Sequence, residues 1–229
     1  MKYGELPKDL GQHEVCCEEM FFYQYLPIKL TGETQPAYEQ RLKCFDKIIG
    51  VICCDFIGVF GLDKYVNSFI YLTAKRLFVT PSCSFNRPGY HSDGFMTDDI
   101  NYVWCDKFPT TFNKTEFVLT MDDSGSLIEM ESQAAKENEF TYPENSLLRL
   151  DQYNIHKVSE IEKPSLRTFL KLSFSKDKYD LVGNAHNYLL NYEWIMKQRK
   201  EERNIPQTKL NSEQNPATES PSSNADDKK

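Results

Sequence analysis

The chain lacks most of the vocabulary of common enzymes. It has no Gly-rich phosphate loop, no Gly-x-Ser-x-Gly elbow and no internal repeat, so P-loop, dinucleotide-binding and elbow-hydrolase chemistry have no residues to carry them. Its seven cysteines include no Cys-x-x-Cys pair and no zinc-like spacing, and they include two vicinal pairs that cannot easily bridge themselves. This predicts reduced thiols in a cytoplasmic protein, with Cys83 and Cys105 serving as buried small apolar residues. The N-terminal stretch has no apolar core of a secretory signal, and the longest apolar run, Ile48 to Phe60, is broken by Asp55 and too short to span a bilayer. Basic residues are not in excess either: net charge is −7 and the pI is about 5.2, so bulk composition offers no nucleic-acid groove and no membrane signal.

What is present is enough apolar and aromatic material, 40% and 13%, for one sizeable core. Met20 to Leu30 is rich in Phe and Tyr and reads as a strand. Next, Tyr38, Leu42, Phe45, Ile49, Ile52, Phe56 and Val59 recur at spacings of three and four, the stripe of a helix packed on a sheet, with Gly61 as its stop. Asn67 to Thr80 and Asp99 to Cys105 carry strand composition. Ser146 to Val158 alternates and predicts a long strand with His156 at its end. Leu166 to Phe174 alternates more cleanly, with Arg167, Phe169, Lys171 and Ser173 on its polar face. Short strands flanking one long helix predict a mainly β fold, a double-stranded β-helix or jelly-roll barrel with helices buttressing one sheet. We read one domain over residues 1–204 with the barrel core at about 67–175. Asp122 to Asn145 is acidic and turn-rich and reads as an insert or a lid over the site, and Tyr188 to Arg203 reads as a helix. Residues 205–229, poor in apolar side chains, predict a disordered tail.

Chemistry concentrates in His91-Ser92-Asp93, followed far downstream by His156 and one strand later by Arg167. In a strand, positions i and i+2 project from one side, so His91 and Asp93 can converge on one ion while Ser92 turns away. Two imidazoles and one carboxylate are the protein half of a facial triad, which leaves three positions open on a non-haem Fe(II). Each residue also has a plainer reading. His91 follows a turn-forming run, Asp93-Gly94 is itself a common turn pair, His156 suits a strand end, and an arginine on a polar strand face is often simply solvated. The spare imidazoles, His13 and His186, read as surface residues.

In type and order these residues resemble the Fe(II)/2-oxoglutarate-dependent oxygenases, whose pattern is His-x-Asp, a distant His, and an Arg or Lys about ten residues later. The resemblance spans about Phe69 to Phe174. It implies the same barrel, with His91, Asp93 and His156 as iron ligands and Arg167 as the fork that grips the distal carboxylate of 2-oxoglutarate. It further implies that Tyr102, with Asn86 or Tyr90, hydrogen-bonds the co-substrate. The reaction implied consumes dioxygen, releases succinate and carbon dioxide, and oxidises a small-molecule or peptide substrate; a carboxylate at position 93 argues against the related halogenases. Two other readings stay open: a jelly-roll binding module without turnover, and an interaction protein that uses its acidic insert and tail to recruit a partner.

Overall fold

The computed structural model describes residues 2–199. The strands are β1 (Lys8–Gln12), β2 (Phe21–Lys29), β3 (Phe69–Val79), β4 (Ile100–Cys105), β5 (Thr111–Asn113), β6 (Glu139–Thr141), β7 (Ser146–Leu150), β8 (His156–Lys157) and β9 (Ser165–Ser175). Helices α1 (Asp46–Phe60) and α2 (Leu62–Asn67) stand between β2 and β3, and α3 (Asp123–Gln133) between β5 and β6. The protein is mainly β, with two antiparallel sheets. One has six strands in the order β1-β7-β4-β9-β3-β2, and the other three in the order β6-β5-β8. No helix among the described residues is long and apolar enough to cross a membrane.

The large sheet has two faces of different character because its strands alternate. Ile70, Leu72 and Ala74 of β3, Ile100, Tyr102 and Trp104 of β4, and Leu170, Leu172 and Phe174 of β9 all turn toward α1, where Ile48, Ile49, Ile52 and Phe56 cover them. Phe56 stacks on Phe174 with ring centroids 3.9 Å apart. Tyr102 donates a 2.7 Å hydrogen bond to Asp55 of α1, which also pairs with Arg149 of β7 at 2.7 Å. The opposite face packs Val103, Leu148 and Leu150 against Phe112 of the small sheet. Four polar residues of that inner face, Thr73, Lys75, Arg167 and Lys171, line a cavity together with Val103 and Phe169.

Several sequence expectations are corrected here. The helical stripe is real but begins later, at Asp46 after a 3-10 segment, and Val59 is 52% exposed while Ile48 takes its place in the core. The long strand ending at His156 is broken: Asp151 accepts from Tyr153 N–H, and Asn154 accepts from Asp151 N–H. The resulting turn lets the chain leave the large sheet at Leu150 and join the small one at His156. Of the two readings of residues 122–145, the structure supports the insert: among the described side chains none of this segment lines the cavity. Instead α3 buttresses the small sheet from behind through Met130, which packs with Tyr90 and Ile155. The described part of Tyr188 to Arg203 is irregular, because its backbone is spent elsewhere. Asn187 binds Pro27 O, Ala37 O and Leu189 N, and Lys197 exchanges backbone bonds with Asp180 and Val182. All seven cysteines are free, Cys105 buried and Cys83 half-buried. The expected tail, 205–229, lies outside the described residues.

The stacked pair Phe56 and Phe174 couples α1 to the sheet, and Phe56 has no exposed surface. Phe56→Ala is expected to lower unfolding free energy by about 3–5 kcal/mol, measured by urea denaturation; a loss below about 1 kcal/mol would show that α1 is not part of the same core.

Candidate metal centre

The ligand segment is pinned from three sides. His91 and His156 form an isolated antiparallel bridge, each N–H donating to the other's carbonyl at 2.9 Å. Ser92 turns to the other side, as the alternation requires, and its hydroxyl donates to Gln152 O at 2.6 Å. Tyr90 N–H donates to Glu131 of α3 at 2.8 Å. Beyond Asp93 the chain reverses at Gly94, whose φ is +76° and where an added Cβ would fall 2.9 Å from Thr97 Oγ1 and 3.0 Å from Asp99 Cβ. Only glycine fits that bend.

This framing brings one ligand atom each from His91, Asp93 and His156 within 4.8 Å of one another, a group able to hold a metal ion. The imidazole rings lie 4.6 Å apart by centroid, and His156 Nε2 is 3.7 Å from Asp93 Oδ2. A six-coordinate ion with bonds of about 2.1 Å sets adjacent ligand atoms about 3 Å apart, so the triad closes on a first-row ion with small side-chain adjustments. Tautomers suit that role. His91 Nδ1 lies 3.0 Å from Gly89 O and His156 Nδ1 lies 2.9 Å from Asn154 O. A carbonyl only accepts, so both protons sit on Nδ1 and both Nε2 lone pairs stay available, the arrangement that orients metal-bound histidines.

Asp93 is steered by a residue that the sequence reading left on a wet strand face. Lys171 Nζ lies 2.9 Å from Asp93 Oδ1, which leaves Oδ2 turned toward His156. Burial alone would raise the Asp93 carboxyl, but the Lys171 ammonium and the two imidazoles outweigh it and hold the group well below the usual carboxylate range. Burial likewise opposes the Lys171 charge, yet Asp93, followed by Tyr25, keeps it above the ordinary lysine value. Tyr25 reaches the site through an irregularity in β2. The register shifts between Tyr23 and Leu26, Tyr25 takes a φ of +49°, and its ring sits 5.2 Å from Lys171 Nζ.

The same cavity, about 120 Å³, is lined by His91, Asp93 and His156 together with Arg167, Lys75 and Lys171. Arg167 is buried, donating from Nε to Lys107 O at 2.7 Å and from Nη2 to Phe108 O at 3.0 Å. Asn86 lines the cavity too, accepting from Lys75 Nζ at 3.3 Å. Tyr102 does not: strand parity turns it to the α1 side, where Asp55 takes its hydroxyl. Tyr90 is also directed away, its hydroxyl donating to Glu139 at 2.8 Å. Of the spare imidazoles, His186 packs between the rings of Tyr188 and Tyr192, and His13 lies 3.3 Å from Leu10 O. Lys75 and Lys171 were missed, although charged residues inside otherwise apolar strands signal an inward role. No family model and no curated protein matches this chain.

Burial pulls His91 down to about 3, with the neighbouring His156 adding to the effect and Asp93 opposing it. Burial also lowers His156, against the pull of Asp93. The unfolded chain therefore takes up protons at both positions near pH 6.5 that the folded, metal-free protein refuses, and stability falls as the pH drops below that value. Between pH 6.5 and 4, His91→Gln is expected to remove about one proton from the slope of stability against pH, read from urea titrations of metal-free protein. An unchanged slope would contradict a neutral, buried His91.

Proposed function

We propose that this protein is an Fe(II)- and 2-oxoglutarate-dependent dioxygenase on a double-stranded β-helix, hydroxylating a small-molecule or peptide substrate with release of succinate and carbon dioxide. The observation that carries the reading is the convergence of His91, Asp93, His156 and buried Arg167 on one cavity. Strand order supports the barrel: β3, β9, β4 and β7 are neighbours in one sheet. The His91 segment bridges β8, which is followed by β5 and β6 in the other. The chain thus passes between the two sheets as a double-stranded β-helix does.

On this reading His91 and His156 hold the ion through Nε2 and Asp93 through Oδ2, while Lys171 occupies Oδ1 and keeps the carboxylate to one donor oxygen. Fe(II) bound there would supply oxidative decarboxylation of the co-substrate and oxidation of a substrate C–H bond. Arg167 spends one edge of its guanidinium on the two backbone carbonyls, which fixes its plane, and its terminal nitrogens take the distal carboxylate. Val103, Val158 and Phe169 give the cavity apolar walls that exclude water.

A non-catalytic jelly-roll binding module is the second reading, favoured by the Lys171–Asp93 pair, which already balances the triad's charge without a metal. Exposure of Arg167 would have strengthened it, and Arg167 is only 4% exposed. Turnover separates the two. Protein supplied with Fe(II), 2-oxoglutarate and ascorbate is expected to release succinate, and Asp93→Ala to abolish that release. Arg167→Lys is expected to raise the half-saturating 2-oxoglutarate concentration about tenfold or more while leaving the Fe(II) requirement unchanged. No succinate from the wild type favours the binding module; an Arg167→Lys variant that loses iron and keeps its co-substrate requirement makes Arg167 structural.

A further inference from the structure

The cavity holds more positive charge than one co-substrate requires. In the β3–β9 pairing Thr73 faces Lys171, Lys75 faces Phe169 and Leu77 faces Arg167, so Lys75 stands diagonally between Arg167 and Lys171 on the shared inner face. Lys171 is matched by Asp93. On the oxygenase reading, Arg167 is matched by the distal carboxylate of 2-oxoglutarate, whose other carboxylate belongs to the metal. Lys75 is left over.

Its surroundings are those of a charge awaiting a partner. Lys75 is 8% exposed, and its ammonium donates to Phe85 O at 2.7 Å and Asn86 Oδ1 at 3.3 Å, both neutral. Among the described residues no carboxylate lies within ion-pair distance of it. Burial first, and then the Lys171 and Arg167 charges, bring its pKa down to about 7. Buried ammonium groups are ordinarily paired, because desolvation without compensation is costly. The two neutral acceptors leave one of its three N–H donors for another group. The Phe22 ring lies 5.3 Å from the ammonium and is 50% exposed.

We propose that Lys75, with Asn86 beside it, forms a second anion subsite, separate from that of Arg167, which takes a carboxylate of the primary substrate. The inference rests on the oxygenase reading for the identity of the first anion, and it narrows the substrate class to acidic compounds. Two cations sharing the one distal carboxylate of 2-oxoglutarate is the competing arrangement.

The test uses full-length protein loaded with redox-inert Zn2+ and saturating 2-oxoglutarate, with acetate as the probe against chloride at equal ionic strength. Acetate is expected to raise Tm in a saturable manner, by about 3 °C at ten times its Kd. Lys75→Met should lose the shift, and Lys75→Arg should keep it. Without anions, Lys75→Met should melt no lower than the wild type, since it removes an uncompensated buried charge; Lys75→Gln serves as a second neutral variant. An acetate shift that survives in both neutral variants places the anion on the metal or elsewhere and overturns the subsite. A shift present with Zn2+ alone but erased by saturating 2-oxoglutarate assigns Lys75 to the co-substrate and overturns it as well. If 2-oxoglutarate itself fails to stabilise the Zn2+-loaded protein, the oxygenase reading falls, while a Lys75-dependent acetate shift still establishes the anion subsite.

Discussion

Two backbone hydrogen bonds between His91 and His156, each 2.9 Å, hold the candidate centre together. They join a segment with almost no secondary structure of its own to a two-residue strand, and so bring the paired ligands of one turn beside a histidine far away in the chain. Everything else in the site refers to this bridge. It sets both imidazoles side by side, aims Ser92 away and Asp93 inward, and gives Lys171 of β9 a fixed target. The supports of the bridge are also local. Glu131 of α3 holds Tyr90 N–H, and Gly94 turns the chain sharply back toward β4.

A protein with a net charge of −7 thus encloses a cavity whose charged side chains are mainly cationic. Local fields in a low-dielectric cleft need not follow the net charge. Lys75, Arg87, Arg167 and Lys171 outnumber Asp93, and a divalent ion would widen that imbalance.

Much of this was readable from residue order. The alternation in β9 put Arg167 and Lys171 on one face, which holds; the His-x-Asp spacing put His91 and Asp93 on one side, and both line the cavity although His91 sits in an isolated bridge and not in a strand. The break between Leu150 and His156 was hidden because nothing in the odd–even split of Asp151 to Asn154 marks a turn, while the Asp151 and Asn154 side chains bond backbone groups there. Tyr102 was misplaced by one step of parity, which in a strand exchanges the cavity for the opposite core. The irregular path at 188–199 was invisible for a different reason. Its helical composition is overridden by tertiary bonds from Asn187 to β2 and by Trp194 packing on Phe69, neither of which leaves a local pattern. Lys75 was legible only as an oddity, a charge in an apolar strand.

The most direct measurement of the central claim is an anaerobic titration of the protein with Fe(II) and then 2-oxoglutarate, followed in the visible for the weak metal-to-ligand charge-transfer band of the chelate. The account predicts a band that saturates at one equivalent of Fe(II) in the wild type and is absent in His156→Ala. Saturable Fe(II) binding with no band on adding 2-oxoglutarate, or a band that persists undiminished in His156→Ala, would contradict it.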